Sequence, residues 1–367
     1  MRLHNYWWLI IWPLIFGFFS RYINMQHPEW VDNRLVYRWR RLPAYLLAVP
    51  YVIWAGWREW FGDTEQYRQT FLGMPSAFDQ IGSYMSTVKK GYGFKLFEVL
   101  FKCLVSNSDI ALFTVIAIIQ IVCLVHVYRK YSPNYWLSFF FFIASTDYLS
   151  WMHNGIRQFL AAAILLLCVP LIARRKYIPA IIIVLLVSQI HATALIFLPF
   201  IFIATGKAWN IRTLAFIAAI IIAVVYVDRI TGFLTEALED TAYSGDIMFL
   251  ARTTDNGTNI FRVLFYSVPA IMSWFLRRYL DRARYPLMNI CANLSIVSAG
   301  FYVFSYFTSG ILMGAVPIYF SLAGYILVPW LLREVFSHKT VIMFETIFAM
   351  VFIVFFYYQC GPTWGIL

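Results

Sequence analysis

The chain is expected to be an all-α polytopic membrane protein with about 12 membrane segments. Three observations carry that expectation. It is 61% hydrophobic and 20% aromatic, with only 13% charged residues, a balance that would leave a soluble domain exposing too much apolar surface. Apolar runs of roughly 18–20 residues, long enough for a helix to cross the hydrocarbon core, recur along the chain. The short connections between them are basic on alternate sides, as the positive-inside bias requires. That bias also accounts for the net charge of +11, so nucleic acid is not an expected partner.

The segments fall near 5–20, 42–57, 109–127, 133–150, 154–173, 177–204, 212–228, 259–276, 286–307, 314–332 and 340–357. The first, within "MRLHNYWWLIIWPLIFGFF", is bulky and lacks a small-x-small cleavage site, so it reads as a retained span. The run 177–204 would measure roughly 42 Å as one helix, well beyond the roughly 30 Å core. It therefore reads as a hairpin of two short helices that breaks near Gln189–His191, which raises the count to twelve and places both termini outside. Most lysines and arginines then lie in the inner loops, while Asp63, Glu65, Asp79, Glu98, Asp147, Asp228, Glu236, Glu239, Asp240, Asp246 and Asp255 face outward. The chemistry is accordingly expected on the outer face.

Residues 1–367 read as a single transmembrane domain with two long outer segments. In 58–108, Phe94, Phe97, Leu100, Phe101 and Leu104 recur at helical spacing with lysines opposite, an amphipathic helix suited to the membrane interface. The segment 229–258 reads as a short helix and a lid. The five cysteines are scattered, without metal-ligand spacing, and read as packing residues. No nucleotide-binding loop or zinc motif is present, which argues against an ATP-driven pump and a sugar-nucleotide enzyme.

Four clusters carry polar chemistry. "WREWFGDTEQYRQTF" (57–71) brings Arg58, Asp63, Glu65, Tyr67 and Arg68 within three helical turns; its bland reading is an interfacial belt with solvated charges. In "WMHNGIRQFL" (151–160), His153 and Asn154 precede Gly155, and Arg157 and Gln158 open an apolar helix. Free N–H groups, the helix dipole and a bidentate guanidinium together make an anion site there, against the alternative of Arg157 snorkelling to headgroups. His191 sits at the break of the 177–204 run, as a structural hydrogen-bonder or a base. "ARTTDNGTNIFRVLFY" (251–266) holds Arg252, Asp255 and Asn259, and Arg262 repeats the Arg157 pattern at another outer helix end. Two such ends sharing one cavity would clamp a doubly charged group such as a diphosphate.

At these residues the sequence resembles the EpsG subgroup of Wzy-type bacterial polysaccharide polymerases. The resemblance rests on Arg58, Asp63, Thr64 and Tyr67, on "GYGFKLFEVLF", "NGIRQFLAAAILLL", "SQIHATALIFLP" and "GTNIFRVLFYSVPAI", and on the late "PIYFSLAGYILVPWLL". It covers most of the chain, in the family's order. Where the family pattern has an arginine before the late Tyr-Phe motif, this chain has Gly314, Ala315 and Val316.

The resemblance implies a GT-C-like, metal-independent glycosyltransferase of the bacterial inner membrane. It would join repeat units carried on undecaprenyl diphosphate, for capsule, exopolysaccharide or O-antigen, at the periplasmic face. Donor and acceptor lipids and the bilayer are then its partners, with a chain-length regulator as a further one, and no cofactor is expected. In that mechanism Arg157 and Arg262, with Arg58 and Arg252, stabilise the departing diphosphate. Asp63 is the first candidate for the base and His191 the second. Gln158, Asn154, Tyr67 and His153 orient sugar or diphosphate oxygens. The alternatives are a flippase for the same lipid, a metal-dependent polyprenyl-phosphate transferase using Asp63 and Glu65, and a membrane acyltransferase with His191 as base.

Overall fold

Each apolar run folds as helix because its backbone groups must be satisfied within the segment once water is excluded. The computed structural model describes residues 6–20, 22–23, 25–31, 33–226, 229, 258–283, 285–308, 310 and 313–367, with Arg34 and His338 described by backbone alone. In chain order the helices are α1 (Trp8–Phe19), α2 (Arg41–Gly56), α3 (Thr64–Leu72), α4 (Ile81–Thr87), α5 (Tyr92–Leu104), α6 (Asp109–Tyr131), α7 (Tyr135–Ala144), α8 (Ile156–Leu165), α9 (Cys168–Ala173) and α10 (Tyr177–Ser188). They continue with α11 (Phe197–Ile203), α12 (Ile211–Val225), α13 (Ile260–Phe275), α14 (Arg277–Arg282), α15 (Leu287–Tyr306), α16 (Ile318–Ser321), α17 (Gly324–Val335) and α18 (His338–Tyr358).

Among the described residues, four helices are long and apolar enough to cross a membrane: Asp109–Tyr131, Ile156–Ala173, Leu287–Tyr306 and Lys339–Thr363. A fifth candidate is the pair Met313–Ser321 and Gly324–Val335, bent by 49°. The expected segments 5–20, 133–150, 177–204, 212–228 and 259–276 form apolar helices of 10–17 residues, and 42–57 forms the 16-residue α2. The run 177–204 breaks at Gln189–His191, between α10 and a 3₁₀ turn over Ala192–Ile196. The expected lid lies outside the described residues, apart from Arg229 and Thr258.

One element departs from an all-α expectation. Strands β1 (Gln26–Val31) and β2 (Arg34–Trp39) pair antiparallel, Gln26 opposite Trp39 and Val31 opposite Arg34. Asn33 takes a positive φ of 62°, which a two-residue hairpin turn demands and asparagine tolerates. The Asp-Asn pair between alternating residues was the signal for it.

The chain divides into two compact units: Met1–Cys168 with Ile178–Leu195 and Leu332–Leu367, and Val169–Tyr177 with Ile196–Leu331. In the first, α6 packs against α2 and α8, and α7 against α1 and α18. Helix α6 is capped by the Ser108 hydroxyl, starts at Asp109 and ends on Arg129 and Lys130, so its charges oppose its dipole at both ends. Phe139–Phe142 of α7 are fully buried, and Phe141 stacks on Phe352 at 4.0 Å. In the second unit α15 packs against α12 and α13. Its buried Asn293 donates to the carbonyls of Ala204 (2.9 Å) and Lys207 (3.2 Å) and accepts from the Trp209 N–H (3.1 Å). An amide buried with its partners made fixes the 204–209 turn without a desolvation cost.

Candidate functional site

The site lies in the first unit, where α3, α5, a π-helical turn over Tyr148–Asn154, the start of α8 and the break after α10 meet around Arg157. Such π turns recur at functional positions because they re-aim the residues that follow. Gly155 ends the turn and Arg157 enters α8 in its first turn.

The Asp63 loop is built onto the π turn. Gly62 has φ 49°, and a Cβ there would overlap the Asn154 side chain. The Asn154 Oδ1 accepts instead from the Asp63 N–H at 2.9 Å. The buried Thr64 hydroxyl donates to the Phe61 carbonyl at 2.6 Å and reaches that of His153 at 3.4 Å. Asn154, expected to orient substrate, thus holds the backbone that carries Asp63.

Arg58 lies beneath this loop, 5% exposed. Its Nη1 donates to the carbonyls of Ala55 (2.7 Å) and Met152 (3.1 Å), and the guanidinium lies 4.2 Å over the Phe113 ring. The structure places it under the site as a post joining α2, α6 and the π turn. His153 is buried with its ring against Tyr148 (4.9 Å) and Phe61 (5.8 Å). Burial, with Arg58 nearby, lowers its imidazole well below the ordinary value and keeps it neutral. Gln158 is buried too. Neither His153 nor Gln158 is presented at a surface.

Arg157 is half-buried, and its Nε is buried without a hydrogen-bond partner among the described residues. The guanidinium sits 6.0 Å from the Tyr67 ring centre and 5.8 Å from that of Phe94. Gly91, with φ 68°, starts α5 so close that a Cβ there would stand 2.8 Å from Arg157 Nη1. Two residues on, a Cβ at Gly93 would meet the Gln189 carbonyl at 2.8 Å. That carbonyl accepts the Phe94 N–H at 3.3 Å, satisfying an orphan donor of the α5 N-terminus. The glycines of "GYGF" therefore let α5 close on Arg157 and on the His191 turn together.

The electrostatics converge on Arg157. Partial burial raises the exposed Asp63 carboxyl while Arg157 opposes the rise. Burial raises the Tyr67 phenol, again against Arg157. Burial and Arg157 together lower the His191 imidazole to about 4, and its Nδ1 lies 2.7 Å from the Thr193 hydroxyl. Asp63, Tyr67 and His191, three of the residues read from sequence, thus share one neighbourhood with Arg157.

Glu65, by contrast, is engaged by Arg68 at 2.8 Å and Gln69 at 2.6 Å, and Arg68 also binds Asp109 at 2.6 Å. Among the described residues no three His, Cys, Asp or Glu side chains gather as a metal-ligand set.

The structure adds a residue that the sequence placed only among the outward-facing acids. Glu98, one turn past Phe94 on α5, is buried; its Oε2 pairs with Lys95 at 2.8 Å, and its Oε1 is buried without a partner among the described residues. Burial raises its carboxyl, while Lys95 and then Arg157 pull it down. Lys102, one turn further, caps α3: its ammonium donates to the carbonyls of Phe71 (3.0 Å), Leu72 (2.7 Å) and Met74 (2.6 Å). Phe94, Phe97 and Phe101 of the apolar stripe pack with Phe71, Phe113 and Leu160 in a protein core, while Leu104 stays 68% exposed. The burial of Lys102 corrects the expectation of lysines set opposite that stripe. The signal was in the spacing: positions 94, 98 and 102 share a face.

In the second unit, Asn259 caps α13 through its side chain, which accepts from the Phe261 N–H at 2.8 Å. Arg262 follows in the first turn, 5.7 Å from the Tyr266 ring centre. Arg157 and Arg262 belong to different units, and Arg252 and Asp255 lie outside the described residues.

Compared with known proteins, residues 42–360 match the EpsG family. No curated protein and no solved structure matches the chain.

Proposed function

The chain belongs to the EpsG family, and from that premise we propose that it is a Wzy-type polysaccharide polymerase. Family membership and the apolar helices make it a multi-pass membrane protein of polysaccharide biosynthesis. The reaction proposed for it joins undecaprenyl-diphosphate-linked repeat units at the periplasmic face of the inner membrane, on a twelve-segment GT-C-like frame with both termini outside. The observation that carries this reading is Arg157: a half-buried guanidinium with an unpartnered buried Nε, beside an acid, a neutral imidazole and a phenol.

In the proposed step, the acceptor hydroxyl attacks the anomeric carbon of the donor sugar. The bond from that carbon to the diphosphate oxygen breaks, and its electron pair leaves with the diphosphate. Arg157 donates to the oxygens on which negative charge accumulates, in a setting where water screens it little. The acceptor proton passes to a base. Asp63 is the first candidate, its carboxylate close enough to be biased by Arg157; His191, neutral at pH 7, is the second. Tyr67 presents its phenol beside the same guanidinium. Arg262 is proposed as a further diphosphate ligand and is tested by its own variant.

Purified protein incubated with an undecaprenyl-diphosphate repeat unit should give a ladder of polymers. Removing one such donor costs about 10²–10³ in kcat, so Arg157→Ala should leave single lipid-linked units, and Arg262→Ala should shorten the ladder. A normal ladder from Arg157→Ala would overturn the assignment.

A further inference from the structure

A cavity of about 530 Å³ lies in the first unit, away from Arg157. Phe18, Trp39, Trp136 and Ile342 line its apolar wall, and Arg333 and Glu345 its polar side. Phe18 is 56% and Ile342 44% exposed, so the apolar wall opens on the surface that the membrane covers.

Helix α6 fixes where this cavity stands. One end, Asp109, holds Arg68 beside the candidate site at 2.6 Å. At the other end Arg38 Nε donates to the Lys130 carbonyl at 2.8 Å, and Arg333 donates to that of Pro133. The 23 residues of α6 rise roughly 34 Å, about the hydrocarbon thickness of a bilayer. The cavity therefore faces the leaflet opposite the candidate site.

Its charge is unbalanced. Arg129 holds Glu29 at 2.8 Å and Arg333 holds Glu345 at 3.3 Å. Arg38 stands behind the lining, close enough to Arg333 to feel its charge, and is the cation these two pairs leave over. Burial, and then Arg333 nearby, push the Arg38 guanidinium down to about 10, so it remains charged at pH 7. An apolar trough open to lipid, with Arg333 at its polar rim and Arg38 as an excess cation behind it, matches a molecule with acyl chains and an anionic phosphate head.

We propose that this cavity is a binding site for an anionic glycerophospholipid of the leaflet opposite the Arg157 site. The lipid seats its chains along Phe18, Trp136 and Ile342 and its phosphate near Arg333, bracing α1, the β-hairpin and α18. The site stands independently of the reaction proposed above.

The test uses the purified full chain, stripped of lipid in detergent and titrated with phosphatidylglycerol, phosphatidylcholine of the same chains, or undecaprenyl phosphate, with bound lipid counted by native mass spectrometry. Phosphatidylglycerol should bind at least tenfold more tightly than either competitor. Arg333→Gln should weaken it at least tenfold, and so should Ala349→Phe, which fills the cavity and leaves the cations in place. Equal binding of phosphatidylcholine, tighter binding of undecaprenyl phosphate, or wild-type affinity in a folded Arg333→Gln or Ala349→Phe protein would overturn the proposal. The comparison among lipids on the wild type decides it even if neither variant folds.

Discussion

Arg157 and Glu98 each keep a buried polar atom without a hydrogen-bond partner among the described residues, as do Arg58 and His153 beneath them, but of these four only Arg157 is given a part in the proposed step. A guanidinium reads a diphosphate as a planar fork, which an ammonium cannot reproduce. Arg157→Lys should therefore lose at least about tenfold in polymer yield, read as ladder intensity, although its charge is kept. His191 gives a pH signature. Its folded value, about 4, lies below the ordinary 6.5, so between those limits the unfolded chain binds the extra proton and stability falls as pH falls. Thermal midpoints measured from pH 7 to 4 should drop less steeply for His191→Gln than for the wild type. Asp63, Tyr67, Arg157 and His191 were all legible in the sequence as polar residues in apolar or helix-terminal settings. Glu98 was not, because an acid next to Lys95 looks like a solvated pair until the face it shares with Phe94 is packed.

At the scale of the element, α5 holds the site closed on one side, and its two ends do different work. Its N-terminus approaches Arg157 and Gln189 only because positions 91 and 93 lack side chains. Gly91→Ala adds a Cβ at a positive φ and against Arg157 Nη1; it should reduce polymerisation at least about tenfold, measured on protein whose helix content is unchanged. Near its C-terminus, Lys102 satisfies three carbonyls at the end of α3. Lys102→Met takes the donor from the Leu72 and Met74 carbonyls, while that of Phe71 keeps the Met74 N–H at 3.1 Å; a buried group left unsatisfied costs about 1–3 kcal/mol. A clear fall in thermal midpoint should follow, with α3 the first segment to exchange its amide hydrogens. The amphipathic period of α5 was readable from the sequence, but its partner was not. The same apolar stripe suits lipid or protein, and only the neighbouring Phe71, Phe113 and Leu160 decide between them.

For the whole molecule, the proposed topology separates the Arg157 site and the basic β-hairpin across the bilayer. In a background carrying Cys103→Ser, whose remaining cysteines are buried, a membrane-impermeant thiol reagent added to intact spheroplasts should label Ser86→Cys and spare Tyr37→Cys; the reverse pattern would invert the topology. The sequence by itself determined that the chain is a helical membrane protein, that 177–204 breaks at Gln189–His191, and which polar residues interrupt the apolar runs. Those properties are local, since hydrophobic length and helix breaking depend on neighbours within a few turns. Only the tertiary structure decided that Arg58 and His153 are enclosed, that Glu98 turns inward and that Asn154 serves the backbone of Asp63. Those outcomes depend on residues far apart in the chain meeting at van der Waals distance, where one missing Cβ sets how closely two helices approach.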